Sequence, residues 1–200
     1  MKIKKAISYI LNRLERELPP ELTYHGLWHT LDVVEQTHRI ALSEGVHDKE
    51  HLQLLETAAY FHDAGFMETY QNHEEKSCEI ARNTLPLFEY NSFQINLVCA
   101  IIMATKIPQS PDNHLSQILC DADLDYLGRD DFFIIGQRLY QELLHKEIVQ
   151  NQDQWNQIQI GFLEKHQYFT NTNNQLRASN KLKNIKVIKQ YISNDIIHQF

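Results

Sequence analysis

The helical spacing of apolar residues constrains the fold of this chain more than any other feature of its sequence. In the first segment, Ile3, Ala6, Ile10 and Leu14 recur three or four positions apart, as along one face of an α-helix. Comparable spacing continues through most of the 200 residues, whereas the alternating pattern of strands and hairpin dipeptides such as Asn-Gly are absent. The sequence therefore predicts an all-α protein built as a single helical bundle.

Capping residues and helix breakers delimit nine predicted helices. Asp48 and Ser92 are predicted to cap the third and fifth helices, and Asn72 followed by Glu75 fits a capping box at the start of the fourth. In chain order, the predicted helices lie at about 3–18, 27–44, 49–64, 73–84, 93–107, 114–127, 131–148, 152–167 and 174–193.

Charge and cysteine content narrow the class of protein. A formal net charge of −7, with only short basic runs, argues against a nucleic acid polymer as partner. The three cysteines are far apart and form no Cys-x-x-Cys pair, so neither a disulfide framework nor a thiolate zinc site is indicated, and each is expected to be buried. The amphipathic start does not resemble a signal peptide, and no apolar run approaches the roughly 18 residues of a membrane span. We therefore expect a cytoplasmic protein with no membrane partner.

Three short segments contain the residues best suited to chemistry. They are Tyr24-His25-Gly26-Leu27-Trp28-His29, Phe61-His62-Asp63-Ala64-Gly65 and Cys120-Asp121-Ala122-Asp123-Leu124. His25 and His29 are four positions apart and share a face if both are helical. His62 and Asp63 would diverge on a regular helix, but both can reach one ion near a helix end. Asp123 stands among apolar residues, where a carboxylate needs a strong partner.

Two imidazoles with one or two carboxylates predict an open metal site with room for water. This mixed nitrogen and oxygen ligand set suits Mn, Fe, Co, Ni, Mg or Zn better than it suits a closed structural zinc site. A divalent ion there would acidify water and neutralise phosphate oxygens. The remaining histidines outside these segments, apart from His73, are expected to be ordinary surface or core residues: His38, His47, His51, His114, His145, His166 and His198.

In their order, the three segments resemble the HD superfamily of metal-dependent phosphohydrolases. Its members have a His, a His-Asp doublet and a distant Asp on a bundle of helices around one or two metal ions. The resemblance covers about 24–128, and Asp121-Ala-Asp-Leu-Asp-Tyr-Leu-Gly is similar to a subgroup of predicted HD phosphohydrolases. It implies a single HD-type domain over 1–200, with the metal-site core at about 24–128 and the helices of 129–200 completing the bundle.

The resemblance also implies a set of metal ligands. By position in the sequence, these are His29, His62, Asp63 and Asp123. Asp121 is the rival for the last place, and we prefer Asp123 because the late ligand of the family usually stands directly after alanine. Asp125 is then expected to be a surface or capping carboxylate.

His25 has a separate resemblance. The segment Tyr24-His25-x-x-x-His29 is similar to the Tyr-His-Asn-x-x-His segment of class I cyclic nucleotide phosphodiesterases, in which the earlier His is a general acid. The resemblance implies that His25 protonates the leaving oxygen, a task that suits imidazole near neutral pH. This chain departs from that family at Gly26, where the family has Asn. The alternative for His25 is a structural hydrogen bond at the start of the helix.

Departures from the two-metal relatives bear on the number of ions. Those relatives have additional histidines. In this chain only His73 stands at a comparable place, and Thr105-Lys106 stands where the relatives have a further His. Lysine is a poor metal ligand but a good phosphate contact. We therefore predict one tightly bound ion, with His73, Glu74 or Glu75 assisting a weaker second one, and Lys106 contacting phosphate. The alternative for Lys106 is an ordinary solvated lysine.

Taken together, the sequence predicts hydrolysis of a phosphate ester or anhydride on a small phosphorylated molecule, with a nucleotide favoured. His25, Asp63 and Lys106 are the predicted catalytic residues. The main alternative is a non-catalytic module that binds metal and nucleotide as a signal. A helical interaction protein with incidental histidines would require the three matched segments to be a coincidence. The oligomeric state is left open, a homodimer included.

Overall fold

The computed structural model describes residues 1–197, so His198 lies outside the described residues. These residues form nine α-helices and no β-strand, which confirms the predicted all-α class. The helices are α1 (Ile3–Glu17), α2 (Leu27–Ser43), α3 (Lys49–Phe61), α4 (His73–Thr84), α5 (Ser92–Ala104), α6 (His114–Asp123), α7 (Phe132–His145), α8 (Gln152–Lys165) and α9 (Asn171–Ile197). Short 3-10 helices lie at Ala64–Met67, Leu85–Phe88 and Asp125–Gly128. None of the described helices is both long enough and apolar enough to cross a lipid bilayer.

The chain divides into two compact units, Met1–Asp123 and Leu124–Phe200. The organisation of 1–200 as one domain stays a prediction.

The first unit contains α1 to α6. Within it, α2 packs against α3 and α6, and α5 packs against α3 and α4. Its core includes the fully buried side chains Leu54, Leu55, Ile101, Ile102, Ile118 and Leu119. All three cysteines, Cys78, Cys99 and Cys120, are buried thiols, as expected. This packing holds α2, α3 and α6 in fixed positions, and the candidate site uses residues from each of them.

Local structure differs from the predicted caps at two helices. Asn91, and not Ser92, caps α5, where its side chain and that of Gln94 form a reciprocal capping box. Asn72 precedes α4 in a left-handed conformation with φ of 54°, and its side chain makes no capping hydrogen bond. The Asn72 Oδ1 instead accepts a hydrogen bond of 3.1 Å from Lys106 Nζ. The predicted Asp48 cap is confirmed, since its carboxylate accepts from the His51 backbone N–H at 2.8 Å.

The second unit begins where a predicted helix breaks. The helix expected at 114–127 ends at Asp123, because Leu124 adopts φ of −107° and ψ of 18°. The following 3-10 helix packs against α9, and Gly128 is required there because a Cβ would lie 2.3 Å from the Arg177 carbonyl oxygen. This close approach buries the turn.

The expectation of Asp125 as a surface or capping carboxylate is wrong. Asp125 is fully buried, and its Oδ1 accepts hydrogen bonds from Asn173 Nδ2 at 3.1 Å and from Arg177 Nε at 3.0 Å. Burial of a carboxylate requires such partners. They come from α9, about fifty positions later in the chain, where the spacing of the sequence gave no indication of them.

Candidate metal centre

In the first unit, the ends of three helices bring polar side chains together at one place. His29 lies in the first turn of α2, which begins after the extended Gly26. His62 follows the last residue of α3, and Asp63 then leaves the helical conformation with φ of −104° and ψ of 9°. Asp123 is the last residue of α6. Because the helix ends before Asp63, the adjacent His62 and Asp63 side chains can face the same point.

The distances within this group are short. His29 Nε2 lies 3.1 Å from Asp123 Oδ1 and 3.5 Å from Asp63 Oδ2. His62 Nε2 lies 3.2 Å from Asp63 Oδ2 and 3.6 Å from Asp123 Oδ1. One ligand atom from each of His29, His62 and Asp123 lies within 4.8 Å of the other two. Asp63 is not in this group of three, but its Oδ2 lies close to both imidazoles. His29, His62 and Asp63 are at most 6% exposed.

The hydrogen bonds that His62 and Asp63 make, and those that they lack, are consistent with a bound cation. His62 Nδ1 lies 2.8 Å from the Ala59 carbonyl oxygen and donates to it, so Nε2 is the nitrogen that faces the carboxylates of Asp63 and Asp123. His62 Nε2 and Asp63 Oδ2 are both buried, and neither has a hydrogen-bond partner with acceptable geometry. Unpaired buried polar atoms are costly, and a divalent ion accepts lone pairs from both.

The electrostatics keep the carboxylates ionised. Burial alone would raise the pKa of Asp123, but the hydrogen bond from His29 and the nearby imidazole of His62 outweigh it and lower that pKa to about 2. Burial would likewise raise the pKa of Asp63. The combined effect of His62 and the other nearby histidines is larger, and the pKa of Asp63 is therefore well below its ordinary value. For His62, burial lowers the pKa, while the two carboxylates raise it well above its ordinary value. Metal binding would therefore release a proton from the cluster.

His73 and Glu74 lie on the other side of Asp63. His73 Nε2 is 3.6 Å from Asp63 Oδ1 and 3.4 Å from Glu74 Oε1. Asp63 thus directs one oxygen toward the His29 and His62 pair and the other toward His73. Of the three residues predicted to assist a second ion, His73 and Glu74 are here, while Glu75 forms an ion pair with Lys106.

Phe66 is a residue of this site that the sequence did not indicate. Its ring stacks on His25 with centroids 4.2 Å apart and on His73 with centroids 3.9 Å apart. The His25 centroid lies 6.0 Å from that of His29, so His25 stands beside the ligand group and outside it. The two imidazoles thus lie on the phenyl ring, which restricts their orientation.

Gly65 explains how His73 comes so close to Asp63. A Cβ at Gly65 would lie 2.0 Å from the His73 carbonyl oxygen, so only glycine permits this approach of α4. The Gly65 N–H donates to Ser77 Oγ of α4 at 2.8 Å. The sequence signal for this contact is the glycine two positions after Asp63.

The structure separates the two candidates for the late carboxylate. Asp123 contacts both His29 and His62. Asp121 is fully buried on α6 and is not part of that group. The geometry therefore agrees with the preference for Asp123, and its role as a ligand stays a prediction.

Lys106 lies just beyond the end of α5. Its Nζ donates to Glu75 and to Asn72 Oδ1, both at the start of α4, and its side chain is 38% exposed. Lys106 is thus already paired, and a phosphate would have to share it with the Glu75 carboxylate.

Comparison with known proteins gives one match. A family model described as the HD domain matches residues 27–125, a range that includes His29, His62, Asp63 and Asp123 but not His25. No curated protein and no solved structure matches the chain.

Proposed function

The chain belongs to the HD domain family of metal-dependent phosphohydrolases, and on this premise we propose that it hydrolyses a phosphate ester or anhydride of a small molecule, with a nucleotide as the substrate class. The observation that carries the proposal is the pair of unpartnered buried atoms, His62 Nε2 and Asp63 Oδ2, beside His29 and Asp123. The choice of a nucleotide rests on the resemblance of Tyr24-His25-x-x-x-His29 to cyclic nucleotide phosphodiesterases.

The proposed ligands are His29, His62, Asp63 and Asp123. A divalent ion bound by them supplies Lewis-acid chemistry, acidifying water and neutralising charge on phosphate oxygens. Asp63 is proposed to accept a hydrogen bond from the attacking water and orient it toward phosphorus. Its second oxygen faces His73, which lies 3.6 Å away and helps to fix the carboxylate plane.

His25 is proposed as the general acid. Stacking on Phe66 orients its ring, and its partial exposure leaves it accessible to a substrate. An imidazole N–H at this place can donate a proton to the leaving oxygen as its bond to phosphorus breaks. His25 would do so without occupying a ligand position.

Phosphohydrolase activity is the first expected outcome. Purified protein supplied with Mn, Co, Ni or Mg is expected to release phosphate or a nucleoside monophosphate from at least one member of a nucleotide panel, and a chelator is expected to stop the release. The measurement is phosphate and nucleoside product by chromatography. Tight nucleotide binding with no turnover under any of these metals would instead favour the non-catalytic signalling module.

Lys106→Met provides a test of the phosphate contact. Loss of a partly exposed charged donor is expected to lower kcat/KM by roughly five- to tenfold, mainly through KM, because the ammonium is proposed to bind phosphate in the ground state as well. Lys76→Met is the matched control, since Lys76 lies on α4, the helix that contains Glu75, and pairs with Glu68 and Glu79. An unchanged kcat/KM with a lower Tm would show that Lys106 only fastens the start of α4.

A further inference from the structure

A cleft in the second unit combines aromatic rings with carboxamides. It has a volume of about 310 Å³ and lies among α7, α8 and α9. Its aromatic members are Phe133, Trp155 and Tyr191, and its carboxamide members are Gln137, Gln152, Asn156 and Gln159. The volume falls at the lower end of the range of about 300–1,000 Å³ for small-molecule sites.

Two of the carboxamides are buried with hydrogen-bonding capacity to spare. Gln159 is 8% exposed, and within the described part of the chain its side-chain amide has no hydrogen-bond partner. Asn156 is also 8% exposed; its Oδ1 accepts from Gln152 Nε2 at 2.9 Å, while no described residue pairs with its Nδ2. Because both residues line the cleft, these amide groups are available to pair with the hydrogen-bonding edge of a ligand.

The aromatic residues provide surfaces for a flat ligand. Trp155 is buried, and its ring is nearly parallel to that of Tyr140 at a centroid distance of 6.3 Å. Phe133 and Tyr191 are partly exposed and meet edge to face at 6.5 Å. Such rings bind planar heterocycles through stacking and edge contacts.

The charge of the cleft excludes phosphate as the group it recognises. Among the described residues that line it, none carries a formal charge. Gly136 forms part of the wall, where an added Cβ would lie 3.0 Å from Gln159 Nε2, so the glycine leaves room beside this amide. The site therefore suits a neutral planar group with hydrogen-bonding edges.

We infer that this cleft binds a nucleobase-type ring, an adenine in the first instance, which pairs with Gln159 and Asn156. A primary carboxamide presents a donor and an acceptor side by side, and adenine presents the complementary pair through its N6 amino group and N7. The cleft shares no residue with the metal centre, and the inference does not depend on the proposed hydrolysis.

Adenosine binding to the full chain tests this inference. The probe lacks phosphate, and binding is measured by calorimetry and by quenching of Trp155 fluorescence in a Trp28→Phe background, because the chain has two tryptophans. Gln159→Leu is expected to raise the Kd for adenosine roughly five- to 150-fold, the usual effect of losing a bidentate contact to a base. Gly136→Ala, which crowds the same amide, is expected to raise it as well. Purine riboside, which lacks the 6-amino group, is expected to bind more weakly than adenosine.

Gln157→Leu is the matched control, because Gln157 is exposed on the same helix and is not part of the cleft. It is expected to leave the Kd unchanged, as is Asp123→Ala in the metal centre. Equal Kd values for Gln159→Leu and Gln157→Leu would overturn the inference, as would the absence of saturable adenosine binding at millimolar concentration. Loss of binding in Asp123→Ala with full binding in Gln159→Leu would overturn it too, by placing the ring at the metal centre.

Discussion

Asp123→Ala is expected to reduce bound metal from about one ion per chain to a trace and to abolish hydrolysis. Asp123 Oδ1 is the oxygen that contacts both His29 Nε2 and His62 Nε2, so its removal leaves an incomplete ligand group and one negative charge fewer beside a divalent cation. The measurement is metal analysis of the purified variant together with a phosphate-release assay at saturating metal.

Asp121→Ala separates this effect from general damage to α6. Both residues lie on that helix, but only Asp123 belongs to the ligand group. The Asp121 variant is expected to retain full metal whenever circular dichroism shows that it is folded. Full metal in a folded Asp123→Ala, combined with its loss in a folded Asp121→Ala, would show that the late ligand has been assigned to the wrong aspartate.

His25→Ala is expected to lower turnover by roughly 10²–10⁴-fold while leaving metal content unchanged. The loss should be much smaller for a p-nitrophenyl ester than for a nucleoside ester, because p-nitrophenolate leaves without protonation. Steady-state kcat on both substrates is the measurement, with metal analysis of the same preparation.

His38→Ala is the matched control for His25, since His38 is a half-exposed histidine farther along α2 that pairs with Glu56. It should retain wild-type turnover on both substrates. A purely structural His25, stacked on Phe66, would give a lower Tm and equal losses on good and poor leaving groups. Equal losses in a stable, fully metallated protein would instead indicate that His25 positions the substrate.

The sequence was most informative where the physics is local. The all-α class followed from a spacing of three and four residues, and the Asp48 cap followed from a bond to a backbone N–H three positions later. Asn72 met the same local criteria for a helix cap, but the predicted capping hydrogen bond does not form. Its side chain and that of Glu75 bind Lys106, which is more than thirty positions away in the sequence. In the left-handed conformation that Asn72 adopts, with φ of 54°, its side chain makes no capping hydrogen bond.

The candidate site shows the same division. The order of His29, His62, Asp63 and Asp123 was visible in the sequence because each stands in a short recognisable segment, and the structure brings these four side chains into contact. The contact of Phe66 with two imidazoles was not visible, because His25 comes from the segment before α2 and His73 comes from α4.

The sequence by itself therefore determined the all-α class and supplied the candidate ligand residues, since both are visible in short local patterns. The tertiary structure decided which polar groups are left unpaired. Asp125 Oδ1 finds two partners on α9, whereas His62 Nε2 and Asp63 Oδ2 are buried without hydrogen-bond partners. Whether a buried polar atom is satisfied depends on contacts between distant segments, and that condition selects the places where a metal ion or a ligand is expected to bind.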